Sequence, residues 1–155
     1  MYPKLLCRDD ILKMLDDLTI VRTKMLDLCE KLPPERLVDP VYSGTWSVLK
    51  NLAHLAFAEL FMLAYIQARP QAPAKELLPK EPAHDLASIR IALDEAHAQT
   101  IAFLKANPES VLSENCVFGR NLSEQTVGGI YYHIIEHEIG HRTFTLHKLA
   151  KLAGN

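Results

Sequence analysis

The chain has 155 residues, 48% apolar and 23% charged, with a net charge of -2. These figures describe a single soluble globular domain with a core of its own; the basic surplus of a nucleic-acid binder is missing. Three cysteines, Cys7, Cys29 and Cys116, are an odd count with no CxxC pair, so neither a disulfide framework nor a thiolate zinc ribbon is indicated.

The first ten residues carry Lys4, Arg8, Asp9 and Asp10 and no apolar core, so no secretory leader is expected and the cytoplasm is the simplest compartment. A first helix is predicted from about Asp9 to Leu32, capped by Asp9 or Asp10 and stopped by Pro33 and Pro34. Met14, Leu18, Val21, Met25, Leu28 and Leu32 repeat at four-three spacing and form its expected inward stripe. A second helix is predicted from about Trp46 to Ala68, capped by Ser43 or Thr45, with Gly44 in the turn before it. Val48, Leu52, Leu55, Met62 and Ile66 share one stripe, and Phe57, Phe61 and Tyr65 widen it. His54 and Glu59 interrupt the apolar run from Leu52 to Ile66, so no membrane span is expected.

The next connection contains Pro70, Pro73, Pro79 and Pro82 and is long for adjacent antiparallel helices. It suits a crossover that sets the third helix parallel to the second. The third helix starts near Asp85 and ends before Pro108, with Leu86, Ile89, Leu93, Ala96, Thr100 and Phe103 inward. A second long loop spans Asn107 to Leu122, with at most a short strand around Val117. Ser123 is expected to cap the fourth helix, with Leu122 stapled onto Val127. Glu124 near its start and Lys148 and Lys151 near its end suit the helix dipole. The expected fold class is all-α: a four-helix bundle with one or two long crossovers.

Seven histidines are present, and His133, His137 and His141 are spaced one turn apart on the fourth helix. Chance gives about 0.3 HxxxH pairs in such a chain. Ile130, Ile134, His137, His141 and Phe144 follow four-three spacing, which places His137 and His141 on the expected core stripe. His54 lies among Leu52, Leu55 and Phe57 on the second helix. Three inward imidazoles from two helices suit a divalent transition metal with open positions. His133 lies about 40° further round and is open to three readings: a further ligand, a neighbour of the ligands, or a surface residue. His84, His97 and His147 are expected to be ordinary. Interior glycines Gly128, Gly129 and Gly140 are expected to serve close helix packing; at Gly140 the alternative is space for a ligand.

Residues 137–141 read His-Glu-Ile-Gly-His and satisfy HExxH. A protease reading fails, because Phe144 continues the helix where a turn glycine is required, and no acidic residue follows Glu138. Glu138 is then a partner of the ligands, a base, or a boundary carboxylate. Di-iron chemistry needs paired ExxH motifs, but the chain has one, Glu81 to His84, in a proline-rich loop, and Glu59 has no matching partner.

The stretches Trp46-Ser47-Val48, Leu52-Ala53-His54-Leu55 and His137-Glu138-Ile139-Gly140-His141-Arg142 are similar to signatures of the DinB-like, or YfiT-like, family. The resemblance implies an up-down-down-up four-helix bundle, a metal triad of His54, His137 and His141, nickel or zinc as the metal, and a homodimer. Asn51 stands where the family often has an acidic residue or histidine, and Thr143 and Phe144 replace its usual continuation after Arg142. Some relatives transfer low-molecular-weight thiols, which implies a thiol cosubstrate and thiol S-transfer, with hydrolysis as the next reaction. The alternatives are a stress-linked module that binds a metal or ligand without turnover, and a metal-free interaction domain. No nucleic acid or membrane is expected as a partner.

Overall fold

The computed structural model describes residues 7–154. Lys4, used above to argue against a leader, lies outside the described residues. Four long helices make the body: α1 (Arg8–Glu30), α3 (Val48–Ala68), α4 (Leu86–Ala106) and α5 (Val127–Ala153), with a short α2 (Pro34–Leu37) between the first two.

The N-cap of α1 is Cys7, and Asp9 and Asp10 fall in the first turn, where they meet the dipole instead of capping. Pro33 ends the turn after α1, but Pro34 opens α2, where its missing N–H is no loss. The buried face of α1 is Ile11, Leu15, Leu18, Arg22, Met25, Leu26 and Cys29. It shares Leu18 and Met25 with the predicted stripe and is otherwise rotated from it. Arg22 is the reason: an apolar-only count passes over it and takes Val21, and the phase then drifts to Leu28, which is 44% exposed.

Ser47 caps α3, its Oγ accepting from Lys50 N at 3.1 Å, in place of the expected Ser43 or Thr45. Thr45 Oγ1 instead faces the carbonyls of Pro40 and Tyr42 at 2.7 and 2.8 Å and holds the preceding loop together. Gly44 makes the turn at φ +75. Val41 sits at φ 60, a strained conformation for a β-branched residue, with its N–H donated to Asp39 Oδ1. By length and a mean hydropathy of 1.3, α3 passes as a membrane span, but most of it is buried inside the bundle, as in the core helix of a soluble protein. Asp85 caps α4 by accepting from Ser88 N at 2.8 Å.

The second long loop holds a hairpin that was only half expected. Strand β1 (Asn115–Phe118) pairs antiparallel with β2 (Ser123–Thr126), Asn115 opposite Thr126 and Phe118 opposite Ser123. Ser123 and Glu124 are therefore strand residues, and Thr126 caps α5 through Gly129 N at 3.0 Å. Leu122 sits in the hairpin turn at φ 47, is 51% exposed, and makes no staple. Lys148 is fully buried rather than exposed near the helix end.

Side-chain contacts fix the helix directions. Arg8 reaches Asn107 O, and Arg90 reaches Asp27 and Glu30, so α1 and α4 are antiparallel. His141 meets Asn51 and His137 meets His54, so α3 and α5 are antiparallel. Lys50 meets Glu81 just before α4, and Arg69 meets Glu114 just after it, so α3 and α4 are parallel. The order is up-down-down-up, and the proline-rich link is the crossover that permits it.

A polar layer divides the core. On one side lie Ile11, Leu15, Met62, Ile66, Leu104 and Tyr131, and on the other Met25, Leu52, Leu93 and Leu149. Between them, Arg22 of α1 donates from Nε and Nη2 to Glu138 of α5 at 3.0 and 2.6 Å, and from Nη2 to Glu59 of α3 at 3.0 Å. Its Nη1 reaches Leu93 O of α4 at 3.1 Å, and His97 of α4 donates from Nδ1 to Glu59 at 3.2 Å. All four long helices meet in this one network. Burial alone would raise the Glu59 carboxyl, but the His97 hydrogen bond and the Arg22 charge outweigh it and hold it below its usual value. Glu59 is thus held by Arg22 and His97, and His97 is a structural member of the polar layer, outside the group of His54, His137 and His141.

Candidate metal centre

On α3, His54 stands one turn after Asn51, and on α5, His137 and His141 stand one turn apart; the antiparallel packing brings the three rings together, tilted 48–55° to one another. One donor nitrogen from each of His54, His137 and His141 lies within 4.8 Å of the other two. The Nε2 atoms of His54 and His137 are 3.3 Å apart. Two metal–imidazole bonds meeting at a tetrahedral angle subtend about 3.3–3.4 Å, so this edge suits a shared ion.

All three rings are half-buried. Burial, together with the neighbouring imidazoles, pushes His137 down to about 4. Burial also lowers His54 and His141. The rings are therefore neutral at physiological pH, with lone pairs free to ligate. His141 donates from Nδ1 to Asn51 Oδ1 at 3.3 Å, which leaves its Nε2 as the free donor atom. Asn51 thus serves the histidine of the opposite helix.

The core face of α5 runs through Ile134, Ile135 and Glu138, not through His137 and His141 as the spacing suggested. The histidines sit on its flank, and Phe144, at 41% exposed, continues that flank. They face a cleft of about 510 Å³ shared with Thr45, Trp46, Asn51, Gly140 and Phe144. Trp46 forms one wall: its ring is edge-on to His54 at 4.9 Å and stacked on His141 at 6.1 Å. A Cβ on Gly140 would meet nothing within 4 Å, so this glycine keeps the cleft open and does not serve close helix packing. At Gly129 the near atoms are Thr126 Oγ1, the cap, at 3.3 Å and Gln125 Oε1 at 3.5 Å.

His133 is outside the group of three: its ring centroid lies 6.0 Å from that of His137, and its side chain is 46% exposed. Both oxygens of Glu138 are engaged by Arg22, so it neither joins the histidines nor faces the cleft as a base. His147 leans on Tyr42, Oη to Nε2 at 3.1 Å, away from the other rings, as the rejection of an extended protease motif required. His84 pairs with Glu81 in the loop before α4. Arg22, Trp46 and Lys148 are the parts of this neighbourhood that sequence reasoning missed. A charged residue on a four-three apolar stripe was the available signal for Arg22.

Residues 17–144 match the DinB superfamily. The chain belongs to that superfamily. Among solved structures it is similar to YfiT from Bacillus subtilis, described as a probable metal-dependent hydrolase with an unusual four-helix bundle topology. The two are 17% identical, with a TM-score of 0.67 over 97% of this chain and 94% of that one. It is also similar to TT2238, a four-helix bundle protein, at 21% identity and a TM-score of 0.64 over 88% of this chain and 95% of that one. No curated protein matches the chain. At these identities the likeness to YfiT and TT2238 establishes the fold.

Proposed function

We propose that His54, His137 and His141 hold one divalent transition metal, nickel or zinc, and that the chain is a metal-dependent enzyme acting on a small molecule, by thiol S-transfer. The observation that carries this reading is the donor group: three half-buried, neutral imidazoles within 4.8 Å of one another beside an open cleft. Three protein ligands leave coordination positions for a substrate. When bound, the ion supplies Lewis acidity that makes a thiol or a water nucleophilic near neutral pH.

The chain's own residues do the rest. Asn51 fixes the tautomer and direction of His141. The Trp46 ring shields His54 and His141 from bulk water, and Gly140 leaves room for a substrate. Glu138, the base that HExxH chemistry requires, is committed to Arg22. A thiol ionises far more readily than water, so near neutral pH it would lose its proton to solvent without such a base, and this favours thiol transfer over hydrolysis. Hydrolysis is the second reading, supported by the description of YfiT. A homodimer is part of the proposal as well, and light scattering on the purified protein tests it.

The test of the reaction is a paired screen of the metal-loaded protein with low-molecular-weight thiols plus an aryl halide, and with aryl esters alone. Consumption of the halide that depends on the thiol, and is lost with chelator and in His137→Ala, supports transfer. Ester cleavage without thiol supports hydrolysis. Inactivity in both, with metal retained, overturns the enzyme reading and favours a non-catalytic metal-binding module.

A further inference from the structure

The cleft beside the histidines is built for negative charge, and the source is a lysine buried behind its wall. Lys148 is fully buried. Its Nζ donates to Thr45 Oγ1 at 3.0 Å and lies 4.7 Å from the centre of the Phe144 ring. No carboxylate among the described residues pairs with it. Burial without a carboxylate partner lowers its pKa, and an anion within reach would offset the cost of desolvating the ammonium and keep it charged. Thr45 and Phe144, the two residues that cover it, both line the cleft, so the charge stands one side-chain layer from the cleft space.

Three further observations have the same sign. None of the residues lining the cleft is acidic. Asn51 is 1% exposed, lines the cleft, and its Nδ2 has no hydrogen-bond partner, which leaves a donor without an acceptor. The N-terminus of the 21-residue α3 begins beside Trp46, and its dipole adds positive potential there.

We propose that the cleft binds a small organic carboxylate, and that Lys148, through Thr45 and past the Phe144 ring, is the residue that selects the anion over its neutral analogue. The substrate class of the metal-dependent reaction proposed above is then a carboxylate-bearing small molecule, and in this respect the inference rests on that reading. Lys148 is a specificity residue that touches neither the histidines nor the reacting atoms. The Trp46 and Phe144 rings supply apolar contact for the remainder of the molecule.

The test uses phenylacetate against the uncharged, nearly isosteric phenylacetamide, followed by the fluorescence of Trp46, the chain's single tryptophan. Titrations are run on chelator-treated and on nickel-loaded protein, for the wild type, Lys148→Met and Lys148→Arg, with folding checked by circular dichroism. The expected result is a preference of about tenfold or more for phenylacetate in both forms of the wild type, because a nearby unit charge in a partly desolvated cleft is worth at least that. Lys148→Met abolishes the preference in the chelator-treated protein, and Lys148→Arg keeps it within about threefold. Equal binding of the two probes overturns the proposal. So does a preference that Lys148→Met leaves intact, or one that appears with nickel alone and assigns the anion to the metal. If the wild type takes up no nickel but shows a Lys148-dependent preference, the metal reading fails and the anion site stands.

Discussion

Replacing Arg22 with methionine removes the one cation from the polar layer while keeping most of the side-chain volume. The guanidinium makes four hydrogen bonds, two to Glu138, one to Glu59 and one to the carbonyl of Leu93. Glu138 is left at 4% side-chain exposure with no positive partner, and Glu59, also 4% exposed, keeps only its hydrogen bond to His97. Breaking a buried pair from one side destabilises by about 3–5 kcal/mol, a large share of a typical domain's 5–15 kcal/mol. In a chain of this length that lowers the melting temperature by roughly 6–20 °C. Urea unfolding followed by circular dichroism at pH 7.5 and pH 5 measures it. In the wild type, the depressed Glu59 carboxyl contributes stability above its ordinary pKa of 4.5, and this contribution is lost on acidification. In Arg22→Met, Glu59 loses the Arg22 charge that opposes the effect of burial, so its carboxyl rises and takes a proton more readily on acidification, and the deficit shrinks at pH 5. Adding Glu59→Gln and Glu138→Gln removes the stranded charges and recovers much of the loss. A deficit under about 1 kcal/mol, or one that is the same at both pH values, refutes the reasoning.

The remaining predictions concern the histidines and the cleft. His137 falls from 6.5 unfolded to about 4 folded, so the unfolded chain takes up a proton first as pH drops. Its contribution is present in full above pH 6.5 and is lost between there and about 4; urea melts of metal-free wild type and His137→Ala must converge over that window, and a constant gap contradicts the shift. Gly140→Ala stabilises by about 0.5–1 kcal/mol, because it improves helix propensity and its Cβ meets nothing within 4 Å; a thermal melt showing destabilisation contradicts the open geometry. Nickel or cobalt added to chelator-treated protein quenches Trp46, whose ring lies 4.9 Å from that of His54, and His54→Ala removes the quench; unchanged emission in the wild type speaks against ligation beside that ring.

The long helices were legible because their apolar periodicity is strong, and the crossover because Pro70, Pro73, Pro79 and Pro82 make a link too long for a hairpin of helices. The His54, His137 and His141 group was legible from spacing and from the family signatures. The phase of α1 was not, because its inward stripe contains Arg22 and an apolar count rejects a charge. The same assumption misread α5: the core face takes Glu138, and the histidines move to the flank. A charged residue belongs on an inward stripe when partners from other helices meet it, and such partners are far away in sequence. The start of α5 was misplaced because Ser123 is a good cap in isolation, while pairing with β1 draws residues 123–126 into a strand and leaves the cap to Thr126. Lys148 was read as a dipole partner, since its depth depends on the loop that carries Thr45 across the end of the bundle.

The central claim is one divalent metal on His54, His137 and His141. Elemental analysis of the purified wild type beside His137→Ala, both confirmed as folded, tests it most directly. The account predicts close to one nickel or zinc per wild-type chain and at least a tenfold lower content in the variant. Equal metal in the two proteins, or a metal-free wild type that takes up neither ion when offered, contradicts it.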